Sequence, residues 1–187
     1  MKHTARVKAL SLPSLLLALL PLASPAQDSL AQVKKLYADT AAAIELGRKG
    51  EGGGLYSNEV QLNSRGLPWR AVGNYSKKIV FWYSDQPEFA AYENKSEASV
   101  LAKVEVKTTA AVRSEYEEFL FQDGALVFFF RQSQAGAEPR EEERTYLHNN
   151  ALLKAFKGNQ AVADQPDLAS ILKRASAYQQ LFLAMFQ

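Results

Sequence analysis

Apolar residues recur every three to four positions from Leu30 through Val33, Leu36, Tyr37, Ala41 and Ile44, the spacing of one helical face. Ser29 and Gln32 form a capping box ahead of that run, and Gly47 is expected to stop it, which predicts a helix over 30–46. The glycine-rich stretch 48–54 (RKGEGGG) reads as a flexible joint. A phosphate-cradling loop would lie between a strand and a helix, the reverse of the order here. From Leu55 the period changes to two, with Tyr56, Asn58, Val60 and Leu62 alternating against Ser57, Glu59 and Gln61 as in a half-buried strand. Residues 64–74 read as a loop. Residues 77–84 (KKIVFWYS) are β-branched and aromatic throughout, as in a central strand apolar on both faces. Residues 85–98 read as a second polar loop. The segment 101–112 then alternates, with Val104, Val106, Thr108 and Val112 on one face and Lys103, Glu105 and Lys107 on the other.

Asp123-Gly124 tolerates the positive φ angles of a type I′ turn and predicts a two-residue hairpin. That loop places Phe121 opposite Leu126, Phe119 opposite Phe128, and Glu117 opposite Phe130. Glu118, Leu120, Val127, Phe129 and Arg131 then share the other face, with Glu118 and Arg131 as a cross-strand ion pair. Ala125-Leu126-Val127 recurs 26 residues later as Ala151-Leu152-Leu153, and Asp123-Gly124 corresponds to Asn149-Asn150. A second hairpin over 141–157 follows from that repeat. The chain closes on a helix with Asp164 as cap, Pro166 in the first turn, and Leu168, Ile171, Leu172, Ala175, Tyr178 and Phe182 along its apolar face. The pattern predicts an α+β fold: an N-terminal amphipathic helix, a twisted antiparallel sheet of about six to seven strands built from hairpins, and a C-terminal helix packed on the sheet.

The residues ahead of this domain have a different character. Lys2, Arg6 and Lys8 precede a leucine-rich run over 9–22, and Ser24-Pro25-Ala26 supplies small residues for peptidase cleavage. Residues 1–26 are therefore expected to be a cleavable signal peptide ending at Ala26, with 27–187 as one domain. That segment holds three of the 22 basic residues and none of the 20 acids, so the remainder carries 19 against 20, a formal −1. No basic footprint is left for a polyanion, and nucleic-acid binding is not expected. The chain has no cysteine, which excludes a lipid anchor on cysteine and suits a bacterial periplasm or extracellular space. The mature domain contains no stretch long enough to span a membrane.

Candidate chemistry is sparse. His148 is the one histidine after Ala26, and without a thiol or a nucleophile-elbow serine it completes no triad. No metal ligand set and no cofactor are expected. Glu117 and Glu118 are the acids placed against apolar surface, and Glu118 is the candidate for a carboxylate-dependent hydrolase of envelope or glycan substrates. Trp69 with Arg70, and Trp82, are candidate stacking surfaces for a sugar or peptide. The expected function is a non-catalytic envelope domain binding a protein, peptide or glycan through Trp69, Arg70, Trp82, Glu118 and Arg131.

The helix motif at 35–38 (KLYA), the hairpin strand at 115–121 (EYEEFLF) and the terminal motif at 178–182 (YQQLF) resemble a family of uncharacterised exported bacterial proteins. The tandem hairpins are also similar to the short hairpin repeats of MORN-like proteins, without their glycine-rich signature. The resemblance implies export and an α+β fold, and it brings no activity.

Overall fold

The computed structural model describes residues 25–162 and 166–187; most of the expected signal segment and the expected Asp164 cap lie outside them. The described helices are α1 (Pro25–Lys49), α2 (Pro87–Tyr92) and α3 (Leu168–Ala184), with a 3-10 turn at Glu97–Val100. The strands are β1 (Tyr56–Leu62), β2 (Pro68–Trp69), β3 (Gly73–Tyr83), β4 (Leu101–Ala110), β5 (Arg113–Gln122), β6 (Ala125–Ala135), β7 (Glu141–His148), β8 (Ala151–Lys157) and β9 (Gln160–Ala161). They form one twisted, open, antiparallel sheet in the order β1-β3-β4-β5-β6-β7-β8-β9, with β2 pairing on the start of β3. The fold class is the one expected. The strand count is higher because β2 and β9, two residues each, are too short to leave a periodic signal.

Both sheet faces are covered. On one, Phe81, Val104, Phe119, Phe121 and Phe129 meet Ile171, Ala175, Tyr178 and Phe182 of α3. On the other, Leu120, Val127, Phe128 and Tyr146 meet Val33 of α1, with Leu30, Leu36 and Tyr37 beside it. Each large side chain removed from water there contributes roughly 1.5–3 kcal/mol.

The hairpins decide which side chain faces which helix. Asp123 and Gly124 have φ of 51° and 80°, Asn149 and Asn150 of 50° and 60°, and both pairs close two-residue turns. Phe121 pairs with Leu126 as expected, but Leu120 then pairs with Phe128, leaving Val127 as the extra residue of a bulge. Phe119 therefore pairs with Phe129 rather than Phe128, and Glu117 with Arg131 rather than Phe130. The cause is packing: the bulge holds both Val127 and Phe128 on the α1 side. The second hairpin repeats the device, with Leu147 opposite Leu152, Tyr146 opposite Lys154, and Leu153 bulged. The 26-residue correspondence thus includes the irregularity as well as the turn.

Other expectations are corrected. Residues 85–98 hold α2 and the first half of the 3-10 turn; Pro87 opens α2, and Ala90 and Val100 cap the apolar core on the α3 side. Val112 lies in the β4–β5 turn, 78% exposed, not on the valine face. The cap of α3 is Asp167, whose side chain accepts from the Ser170 N–H at 3.1 Å, so Pro166 precedes the helix. The helix α1 starts ahead of Ser29 and continues past Gly47 to Lys49.

Gly47 serves close approach rather than termination. A Cβ there would collide with the backbone carbonyl of Leu55, and one on Gly54 with the backbone of Gly47. The stretch 48–54 is accordingly a packed return, tied by Leu55 N–H to Ala43 O and Glu51 N–H to Leu46 O, both 3.0 Å. An exposed helical glycine gains stability on mutation to alanine. Here Gly47→Ala is expected to lose about 1–3 kcal/mol, because the obstacle is main chain and cannot rotate away. Urea denaturation checks this.

Candidate functional site

β4 alternates along its length, so Val104 and Val106 point to α3 while Lys103 and Glu105 point to α1. Lysine and glutamate on that second face would suit open solvent. Instead α1 crosses it, and the Lys103 side chain is 5% exposed. A buried ammonium must be paired and hydrogen-bonded. Lys103 Nζ lies 3.0 Å from Glu105 Oε1 and 3.1 Å from Glu118 Oε1. Glu118 also accepts the Tyr37 hydroxyl at 2.8 Å on Oε2 and the Tyr116 hydroxyl at 2.7 Å on Oε1. Lys103 stands 5.2 Å from the centre of the Tyr37 ring, adding a cation–π contact. Burial, reinforced by the Glu118 charge, holds both phenols well above the usual tyrosine range. The cluster joins α1, β4 and β5 through one carboxylate. With three donors on it, Glu118 anchors the helix to the sheet.

Beside this anchor, on the same face, is a cavity of about 350 Å³. Tyr37, Phe128, Phe130 and Tyr146 wall it, and Lys34, Glu142 and Arg144 stand around it. The rings are mutually supported: Phe128 lies 5.3 Å from Tyr37 and 5.0 Å from Tyr146. Arg144 donates from Nη2 to the Gly158 carbonyl at 2.8 Å, while its Nε is buried without a partner among the described residues. Glu142 accepts from Gln132 Nε2 at 3.0 Å. An apolar floor with a few oriented polar groups is the usual make-up of a small-ligand site, and the volume falls in that range. A second, polar hollow of about 590 Å³ lies farther along, lined by Lys107, Gln132, Gln134 and Arg140 among others. The Tyr116–Phe130 ring pair, 6.3 Å apart, stands between the two.

The residues expected to form a site are not brought together. Arg131 pairs in register with Glu117 on the α3 side and donates to Glu143 at 2.7 Å, so the expected Glu118–Arg131 pair does not form. The Val127 bulge moved Arg131 to the opposite face. Glu117 is itself buried and paired with Arg174 of α3. Burial raises its carboxyl above the usual range, with Arg174 acting in the opposite direction. Trp82 is 6% exposed beneath the Arg48 guanidinium at 5.2 Å and offers no stacking surface. Trp69 is 45% exposed and stacked on Tyr75 at 4.4 Å, with Arg70 exposed beside it. His148 is exposed at the second hairpin turn.

Tyr37, Lys103, Tyr116, Arg144 and Tyr146 are the residues that sequence reasoning missed. Tyr116 and Glu118 are two apart on a strand and so share a face, a usable signal. Tyr37 was read as part of an apolar helix face, with nothing to indicate a buried acceptor for its hydroxyl.

No family model, curated protein or solved structure matches the chain. Among the described residues no helix is long and apolar enough to cross a membrane, and no group of three or more metal-ligating side chains stands together.

Proposed function

We propose that this chain is an exported, non-catalytic envelope domain that binds a short peptide or peptide-bearing fragment in the cavity beneath α1. The observation that carries this reading is the cavity: four aromatic walls ringed by two cations and one carboxylate. An apolar side chain of the ligand would occupy the aromatic floor. Its carboxylate would face Arg144 and Lys34, and its amine or amide would face Glu142. Arginine suits that task because its planar fork binds carboxylates in bidentate fashion. The alternative, a carboxylate-dependent hydrolase, needs an acid free to exchange a proton. Glu118 is held by Lys103, Tyr37 and Tyr116, and that occupancy favours binding over catalysis. The basic, leucine-rich start and the small residues before Gln27 support the export part of this reading.

The test is a titration of isotope-labelled protein with cell-wall muropeptides and a tripeptide library, followed by NMR. Shifts are expected at Lys34, Tyr37, Phe130 and Arg144. Lys34 is exposed at the cavity, so Lys34→Trp is expected to obstruct it and weaken binding at least about tenfold without loss of stability. Shifts centred elsewhere, or binding untouched by Lys34→Trp, would sink the assignment.

A further inference from the structure

The two ends of the sheet differ in charge, although both expose large apolar side chains, with Tyr56 at 61%, Phe89 at 46% and Tyr92 at 80% at the α2 end. At one end, β2 and the start of β3 form a small hairpin in which Trp69 pairs with Gly73 around the turn Arg70-Ala71-Val72. The β4–β5 turn lies against it: Ala111 N–H donates to Asn74 O at 2.7 Å, and the Ala111 Cβ lies 3.6 Å from where a Cβ on Gly73 would stand. This end exposes large apolar side chains, Leu67 at 60%, Trp69 at 45%, Val72 at 43% and Val112 at 78%. Soluble surfaces carry such residues singly, whereas a cluster marks an interaction site.

Arginines dominate the charge around that cluster, with Glu138 in the β6–β7 turn that meets it where Gly136 N–H donates to Val112 O at 2.8 Å. Arg65, Arg70 and Arg113 are exposed, and none forms an ion pair among the described residues. No acid occurs between Glu59 and Asp85. The opposite end, around α2, carries Asp85, Glu88, Glu93 and Glu97 with Lys95 as its one base, and Lys95 is already paired to Glu93 at 2.7 Å. The near-zero net charge of the domain therefore conceals a polarised molecule.

We infer that the Trp69 end docks on an anionic lipid bilayer, with the aromatic and aliphatic side chains in the headgroup region and the three arginines on lipid phosphates. Tryptophan partitions to the membrane interface because its ring is apolar and its N–H is polar. Arginines held at the surface add electrostatic attraction to anionic lipid, and the combination of the two signals gives stable, reversible attachment. The acidic α2 end is repelled by the same surface, which fixes the orientation and leaves the cavity beneath α1 to the side. This inference is independent of the peptide reading of that cavity.

The experiment uses the purified protein in the form the cell accumulates, with vesicles of phosphatidylcholine alone or with about a quarter phosphatidylglycerol. Trp82→Phe leaves Trp69 as the sole tryptophan, since the chain has two. The protein is expected to co-sediment with the anionic vesicles only, its Trp69 emission shifting to shorter wavelength, and to be released by about 0.5 M salt as screening takes effect. Trp69→Ser, and separately the exposed pair Arg65→Glu/Arg70→Glu, should each weaken binding at least about tenfold. The arginine variant keeps the test sound if Trp69→Ser perturbs the β2–β3 turn. Equal binding to neutral vesicles, no binding to anionic ones, or no effect of either variant would overturn the inference. So would sedimentation showing that the free protein self-associates through this end and that Arg65→Glu/Arg70→Glu disperses it.

Discussion

Glu118→Ala is expected to destabilise the fold by about 3–5 kcal/mol, measured by chemical denaturation, because it removes one partner of a buried charge pair. The variant leaves the Lys103 ammonium 5% exposed with Glu105 as its remaining carboxylate, and it strips the acceptor from two part-buried phenols. Removing both charges with volume conserved, as in Lys103→Met/Glu118→Leu, is expected to recover part of that loss, since a dry apolar contact carries no desolvation cost while the two phenols still lack their acceptor and Glu105 its ammonium. A double-mutant cycle separates the pair energy from the two hydroxyl contacts. Glu118→Gln keeps the shape and removes the charge. Its signature is in the ultraviolet titration of the tyrosines: Tyr37 and Tyr116 should ionise at lower pH than in the parent, yet still above the usual value of 10.0, because burial is the larger cause of their shift. A phenol raised in the folded state contributes stability that is intact below pH 10 and lost as pH climbs through its folded value. The alkaline loss should therefore begin near pH 10 in both proteins and extend over a shorter range in Glu118→Gln. A cost below about 1 kcal/mol for Glu118→Ala, in the range of an exposed ion pair, would show that the anchor is not desolvated as described.

The elements were legible wherever one face had to be apolar. The period of 3.6 in α1 and α3 and the valine alternation of β4 come from the core they cover, so burial left its trace in the residue order. The turn chemistry was equally readable, since Asp123-Gly124 and Asn149-Asn150 are residues that tolerate positive φ. The bulge at Val127 was not readable. Nothing in Ala-Leu-Val-Phe-Phe-Phe says which apolar residue is doubled, and the choice depends on which helix lies over each face. That one residue decided the site: it sent Arg131 to the α3 side and left Glu118 to Lys103. Alternation of lysine and glutamate along β4 looks the same whether water or a tyrosine-bearing helix covers it. Gly47 is a third case, because a glycine at a helix end reads as a stop, and its close approach to Leu55 exists only once the chain has turned back.

Phe182→Ala is the other large loss, expected at about 3–5 kcal/mol as a buried phenylalanine deletion. Phe182 is fully buried, with ring centres 6.0 Å from Phe81, 5.3 Å from Tyr83 and 5.2 Å from Phe186. It brings the C-terminal end of α3 onto β3, the strand beside the edge strand β1. Rings on a backbone sheet cannot collapse into the space it leaves, because pairing on both sides fixes β3. Phe186, on the same helical end and 37% exposed, is the internal control. Its loss removes less apolar area and no enclosed volume, so Phe186→Ala should cost about 1 kcal/mol. The ratio between the two variants distinguishes a helix integral to the core from one laid on a sheet that is stable by itself. In the first case Phe182→Ala lowers the single cooperative denaturation midpoint followed by far-ultraviolet circular dichroism. In the second, α3 would melt ahead of the strands and two transitions would appear. One transition is expected, because Phe81, Val104, Phe119 and Phe129 are covered on that face mainly by the helix that carries Phe182, with Ala90 and Val100 closing one end.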